Sequence, residues 1–190
     1  VNHVLNFQYS TSSDIPRYDR LTQIKNDAPQ YAEWLYGPQE RFFSSYQLDL
    51  AQNRKWFDQA KIILGYQFIE ESRHTRSFNN SFLKNRNEQL NIYTLNADFE
   101  KKKLKNTLRY GFDFWYNKVR STAHQQNIIT LDQIPLDTRY PDGGSTMGSC
   151  AFYFTHSYKL NDQWILSEGL RINYIELQAH FDDKTFFPFD

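Results

Sequence analysis

The sequence predicts an all-β protein in which about seven antiparallel up-and-down strands form an arc of a large transmembrane β-barrel. Seven stretches alternate apolar and polar residues, each about 10–16 residues long, and the spacers between them are alternately long and short. Short turns on one rim and long loops on the other are typical of outer-membrane barrels. Tilted membrane strands need about 9–11 residues, whereas soluble strands have a mode near 5–6.

The first three strands are predicted at 2–11, 40–51 and 57–70. Each has an apolar face, carried by Leu5, Phe7 and Tyr9 in the first, by Phe42, Tyr46, Leu48 and Leu50 in the second, and by Ala60, Ile62, Leu64, Tyr66 and Phe68 in the third. The polar turn 52–55 separates the second strand from the third. These strands therefore have one apolar and one mostly polar face.

The fourth strand, predicted at 88–100, changes phase along its length. Leu90 and Ile92 are even-numbered, whereas Tyr93, Leu95 and Phe99 are odd-numbered. A β-bulge moves the register by one residue, so the pattern predicts a bulge near the middle of this strand.

The remaining strands are predicted at 106–119, 149–160 and 163–178. The fifth has the clearest alternation, with one face formed by Leu108, Tyr110, Phe112, Phe114 and Tyr116. The seventh carries Trp164, Leu166, Leu170, Ile172 and Tyr174 on one face, and Glu168 interrupts it. Strands one, three, five and seven are expected to run outward.

The long spacers, near 12–39, 71–87 and 120–147, are then expected at the extracellular rim. Exposed aromatic side chains and arginines are the types that most often grip a ligand. The candidate ligand-binding residues in these loops are Arg17, Tyr18, Arg20, Tyr31, Trp34 and Tyr36. For the aromatic residues nearest the strands, an aromatic belt at the membrane interface is an equally good explanation.

The polar faces of the strands are expected to line the barrel lumen. The candidate lumen-facing residues are Arg109, Asp113, Trp115 and Arg171. Two interpretations of their charges stay open. The charges have a functional role, along a transport path or in contact with a plug, or they have a structural role and pair across adjacent strands of the barrel wall.

Composition excludes several classes of protein. Lys+Arg and Asp+Glu both number 22, and this balance argues against a nucleic-acid partner. The mean hydropathy is −0.75, and no run approaches the roughly 18 apolar residues of a transmembrane helix. Aromatic residues make up 17% of this hydrophilic chain, as belts at two membrane interfaces would require.

Catalytic motifs are absent from the sequence, so no catalytic residue, metal ligand or cofactor is predicted and the protein is not expected to be an enzyme. His74 and His124 lie in two spacers of the same rim, but solvated loop histidines are favoured over a metal or haem site. The run Lys101–Lys105 is interpreted as a solvated periplasmic turn rather than a phosphate site. Cys150, the single cysteine, excludes a disulfide within the chain.

Several segments resemble TonB-dependent outer-membrane receptors. They are Glu33–Gln39, Tyr66–Arg73, Asn96–Phe99, Thr138–Thr146 and Phe181–Pro188. The resemblance spans nearly the whole chain and implies the central part of a 22-stranded barrel. It also implies import of a scarce nutrient (siderophore, haem, cobalamin or oligosaccharide) with energy from TonB. The implied partners are outer-membrane lipid, the receptor's own plug domain, TonB acting through that plug, and the ligand.

The chain departs from that family pattern because residues 1–190 form only a partial barrel domain with no plug. We expect the chain to be a piece of a longer protein, in the outer membrane of a Gram-negative bacterium. Two alternatives stay open. One is a passive porin-like channel, and the other is a soluble β-sandwich that binds carbohydrate or protein.

Overall fold

The computed structural model describes residues 1–188; Phe189 and Asp190 lie outside the described residues. The protein is all-β and is dominated by antiparallel strands, as predicted. Its elements are β1 (Asn2–Thr11), β2 (Ile15–Pro16), α1 (Tyr18–Leu21), β3 (Ile24–Lys25), β4 (Ala28–Pro29), β5 (Tyr31–Tyr36), β6 (Glu40–Ala51), β7 (Gln59–Ser77), β8 (Phe82–Lys103), β9 (Asn106–Asn127), β10 (Gln133–Pro135), β11 (Ser145–Lys159) and β12 (Ile165–Ala179).

Seven long strands follow one another across a single open sheet in the order β1-β6-β7-β8-β9-β11-β12. Each pairs antiparallel with the long strand that precedes it in the chain, so the topology is up-and-down. Shorter strands widen the sheet at one rim, where β5 pairs with β2 and β7, and β10 pairs with β9. Strands β1 and β12 form the two free edges of the sheet.

The register aligns the apolar residues of successive strands. One row across all seven long strands consists of Leu5, Tyr46, Leu64, Leu95, Phe114, Cys150 and Tyr174. We call the side of the sheet that carries this row the apolar face, and the opposite side the polar face. Because side chains alternate along a strand, every second residue of each strand belongs to the same face.

The apolar face lacks a protein layer to cover it. Among residues 1–188, only two hydrophobic residues are buried, Ala60 and Ala151. Phe152, in the middle of β11, is 63% exposed. The accessible surface is 13090 Å², against about 9,600 Å² for a compact monomer of this mass. The sheet is therefore a single layer without a hydrophobic core of its own.

The strands are longer at one rim than the sequence predicts. The predicted spacer 71–87 is reduced to the turn 78–81 between β7 and β8, and much of the predicted spacer 120–147 belongs to β9, β10 and β11. The first of these loop predictions is wrong, and the second is wrong at both of its ends, whereas residues 128–132 and 136–144 do lie outside the strands. The strand extensions were missed because both faces are polar there. An extended segment with no apolar side gives no alternation by which to detect it.

The predicted β-bulge in the fourth strand is also wrong. The pairing of β7 with β8 runs from Gln59–Glu100 to Thr75–Lys84 without a change of register, and β8 pairs with β9 equally regularly. The phase changes because Leu90 and Ile92 are apolar residues on the polar face, not because the backbone shifts.

Glu168, which interrupts the predicted apolar face of the last strand, does lie on that face. It is opposite His156 on β11, and its Oε1 is 3.1 Å from the His156 Nδ1. His156 Nε2 in turn lies 2.9 Å from Asn106 Oδ1. Glu168 therefore forms a polar contact within that face, and the predicted phase of the strand is correct.

The run Lys101–Lys105 is only partly a turn. Lys101 lies in β8, and its ammonium donates to Asp58 Oδ1 at 2.7 Å and to the carbonyl oxygen of Arg54 at 2.6 Å. The turn itself is Leu104–Lys105, between the paired residues Lys103 and Asn106.

No helix in residues 1–188 is long and apolar enough to cross a membrane.

Candidate functional site

A cluster of two arginines and two aromatic rings lies at the rim where the strands are longest. We call it the rim cluster; its members are Arg17, Trp34, Tyr36 and Arg73. Strand β5 pairs with β7 so that Tyr36 lies opposite Arg73. The backbone N–H of Arg17 donates to the carbonyl oxygen of Trp34 at 2.9 Å. Pairing between β2, β5 and β7 thus brings together residues from three separate segments.

The rings of the rim cluster hold both guanidinium groups. Trp34 and Tyr36 pack edge to face, with centroids 5.0 Å apart and an interplanar angle of 88°. The Arg17 guanidinium carbon lies 5.0 Å from the Trp34 centroid, and that of Arg73 lies 5.3 Å from it. The corresponding distances to the Tyr36 ring are 5.8 and 5.4 Å. Both arginines are thus within the range of cation–π attraction.

The two arginines differ in their charge partners. Arg17 donates two hydrogen bonds of 2.7 Å to Asp19, and these bonds lower the pKa of the Asp19 carboxyl. Arg73, in contrast, makes no ion pair within residues 1–188, and its Nε is buried without a hydrogen-bond partner. An uncompensated cation is therefore fixed among two aromatic rings.

The neighbouring strand places a further arginine beside Arg73. Arg86 on β8 is directly opposite it in the register. Like charges at directly opposed positions of a sheet repel. Arg86 is neutralised by Asp137, to which its Nη2 donates at 2.8 Å. Along the same strand, Glu88 is buried, and its carboxylate is 3.3 Å from Arg139 Nη1 and 3.4 Å from Ser121 Oγ.

No family model matches this chain. No curated protein matches it either. What the site can do is therefore argued from its geometry alone. Flat rings beside fixed cations can hold an anionic or delocalised small molecule by charge and by stacking.

The structure brings three of the six predicted loop residues together, namely Arg17, Trp34 and Tyr36. The other three lie near the cluster without joining it. Tyr18 is 71% exposed on α1, and Arg20 Nε lies 3.8 Å from Asp19. Tyr31 is half-buried at the start of β5, where its hydroxyl accepts from Gln30 Nε2 at 3.2 Å.

The four predicted lumen-facing residues share the polar face. Arg109 donates to Glu100 at 2.7 Å, and Trp115 lies between Thr94 and Ser149 in the register. Asp113 and Arg171 form an ion pair of 2.6 Å.

Two further residues on this face could not be anticipated from the sequence pattern. Asp98, from β8, accepts a short hydrogen bond from the hydroxyl of Tyr153 on β11. The strand between them contributes Gly111, where a Cβ would lie 2.4 Å from the Tyr153 ring. A side chain at position 111 would therefore displace the tyrosine from Asp98.

His74 and His124 lie in strands rather than in loops. Asn85 is between them in the register, and its side chain is 2.6 Å from His74 Nδ1 and 3.2 Å from His124 Nε2. His74 Nε2 is also 3.0 Å from Ser72 Oγ. Within residues 1–188, no three His, Cys, Asp or Glu side chains form a group that could hold a metal ion.

Arg73 is the site residue that sequence reasoning missed. It falls in the segment predicted as the loop 71–87, where both faces are polar. Its only signal is indirect. Arg73 is the last residue of the segment Tyr66–Arg73, and the family resemblance of that segment does not single out the arginine.

Proposed function

We propose that this chain is an arc of the β-barrel of an outer-membrane receptor that imports a scarce nutrient with TonB-coupled energy. The observation that carries the proposal is the continuous apolar face of a single-layer sheet. An uncovered apolar surface of this extent is unstable in water and marks contact with a membrane or another protein. Hydrocarbon is the environment in which a sheet needs no second layer.

The height of the apolar face supports this reading. On β7 it runs from Ala60 to Phe68, eight steps of about 3.4 Å, or roughly 27 Å along the strand. With a tilt near 40° this corresponds to about 21 Å along the membrane normal, close to the 25 Å band of outer-membrane barrels. Strands β8 and β9 have 22 residues each, so they extend well beyond such a band.

Aromatic residues are concentrated at both ends of the apolar face. At the end near the long rim, Tyr66, Tyr93 and Tyr116 form a row with ring centroids 5.2 and 6.5 Å apart. At the other end, Tyr110 stacks on Phe99 at 5.2 Å. Tyrosine is favoured at membrane interfaces because its ring is apolar and its hydroxyl remains hydrated.

In the proposed mechanism, the rim cluster captures the ligand at the extracellular side, and the polar face lines the route inward. A plug domain outside this segment would close that route until TonB displaces it. The process is binding and transport, with no cofactor and no bond broken in the ligand.

Two other functions are compatible with an all-β chain. In a porin-like channel, the same strands would surround an open pore with no plug. In a soluble β-sandwich, a further sheet would have to cover the apolar face. The rim cluster favours the receptor over the porin, because a channel for passive diffusion does not need a preformed ligand-binding site.

Cell fractionation combined with uptake measurements tests the proposal. We expect the protein in the outer-membrane fraction, soluble only with detergent, and we expect uptake of its ligand to stop in cells that lack TonB. Uptake that persists without TonB would indicate the porin. A monodisperse protein in plain buffer would indicate the sandwich.

A further inference from the structure

We propose that Arg73 anchors an oxyanion, so that the ligand of the rim cluster carries a carboxylate or phosphate group. This inference rests on the proposed function and narrows it, because it assigns an anionic rather than a neutral nutrient to the site. The juxtaposition that supports it is an unpaired guanidinium held between two rings and directly opposite a second arginine.

The positive charge of Arg73 has no counter-ion among residues 1–188. The guanidinium of Arg73 contacts the rings of Trp34 and Tyr36 at 5.3 and 5.4 Å, and its Nε has no hydrogen-bond partner. A half-buried cation with a buried N–H group that lacks an acceptor is destabilising. A ligand oxyanion supplies the missing acceptors, and guanidinium groups bind such oxygens in pairs.

The carboxylates near Arg73 have other hydrogen-bond partners. Asp19 binds Arg17, and Asp137 binds Arg86. Glu88 lies against Arg139. Glu71, two residues before Arg73, accepts from Gln39 Nε2 at 2.5 Å. Among residues 1–188, no carboxylate therefore forms an ion pair with Arg73.

The unpaired charge of Arg73 also gives the site specificity for an anion. Arg73 and Arg86 are directly opposite each other on adjacent strands, and Asp137 neutralises Arg86 but not Arg73. An anion beside Arg73 therefore supplies the one counter-ion that this pair still lacks. A neutral ligand leaves the charge of Arg73 without a counter-ion. Sites with fixed unpaired polar groups discriminate strongly against ligands that cannot pair with them.

Calorimetric titration of the protein in detergent micelles tests the inference. The probes are citrate, inorganic phosphate and the neutral sugar maltohexaose. We expect an oxyanion to bind, with affinity that falls as salt rises, and we expect the sugar not to bind. If citrate binds and phosphate does not, the ligand carries a carboxylate. If phosphate binds and citrate does not, the ligand is phosphorylated.

Variants connect the binding to Arg73. Arg73→Ala should lower the affinity for the binding oxyanion at least tenfold, and Arg73→Lys should retain part of it. Arg120→Ala is the matched control, because Arg120 is an exposed cation on the opposite face without an ion pair in the described part of the chain. If Arg73→Ala does not fold, the Lys variant and the salt dependence for the unmodified protein provide the test.

Three results would overturn the inference: no binding of either oxyanion, equal binding by the Arg73 and Arg120 variants, or preferential binding of the sugar. These results leave the proposed function intact if the protein resides in the outer membrane and its uptake requires TonB. Conversely, Arg73-dependent oxyanion binding by a protein that is soluble without detergent would support the anion site and refute the receptor.

Discussion

The carboxylate of Asp113 on β9 meets the guanidinium of Arg171 on β12 at 2.6 Å, across the full width of β11. Asn96, on the other side of β9, donates to the same carboxylate at 2.7 Å. A chain of polar contacts thus runs across four strands of the polar face. It connects the central strands to the free edge of the sheet, where β12 has no partner on its other side.

Breaking this ion pair should have a small effect. The two side chains are 26% and 49% exposed, and exposed pairs contribute about 0.2–1 kcal/mol. We expect a double-mutant cycle with Asp113→Asn and Arg171→Gln to give a coupling energy in that range, measured by urea unfolding in detergent. A coupling above about 2 kcal/mol would indicate a desolvated pair rather than a hydrated polar face.

Charge on the opposite face should have a much larger effect. Phe112→Arg places a cation in the middle of the apolar face, and we expect a loss of about 2–4 kcal/mol in the free energy of folding if this face meets the bilayer midplane. Asp113→Asn, one residue along the strand, is the matched control and should be mild. Equal losses for the two variants in a refolding titration into lipid vesicles would show that the faces are wrongly assigned.

The contact between Asp58 and Lys101 should make stability depend on pH. The hydrogen bond from Lys101 lowers the pKa of the Asp58 carboxyl. A carboxyl whose pKa is lower in the folded state stabilises the fold above its unfolded value of about 3.9, and this contribution disappears as the pH falls through the folded-state pKa. Asp58→Asn should therefore be less stable than the unmodified protein at neutral pH.

The same comparison at acidic pH supplies the control. Below about pH 4 the difference in unfolding free energy between Asp58→Asn and the unmodified protein should shrink. A difference that is independent of pH would mean that the contact depends on the shape of the side chain and not on its charge.

Leu104 is in a backbone conformation that suits glycine. Its φ is +55° in the two-residue turn between β8 and β9, and its side chain is 97% exposed. A non-glycine residue with such a φ is strained, so Leu104→Gly should raise the unfolding free energy by about 0.5–1 kcal/mol. Lys105→Gly is the control and should lower it, because Lys105 is outside the left-handed region and donates to Leu160.

The central parts of the strands could be predicted from the sequence because one face is apolar there. The alternation from Leu108 to Tyr116 requires a strand with two chemically different sides, and the observed register agrees with it. The outer halves of β7, β8 and β9 could not be predicted, because residues such as Arg73 and Asn85 are polar whichever way they point.

The rim cluster was predictable only in part. The pairing of an arginine with nearby aromatic residues was visible between Arg17 and Tyr36 in one spacer. Arg73 joins them through the pairing of β5 with β7, and no local pattern encodes a contact between segments that are nearly 40 residues apart. The supposed bulge near Leu90 shows a related difficulty, because apolar residues on a polar face imitate a change of register.

Spin-label accessibility along β9 tests most directly whether hydrocarbon covers the apolar face. In a Cys150→Ser background, single cysteines at positions 108–117 would be labelled in lipid vesicles. We predict a period of two, with even positions accessible to oxygen dissolved in the bilayer and odd positions accessible to a water-soluble nickel complex. Even positions shielded from oxygen, or accessibility without alternation, would contradict the account.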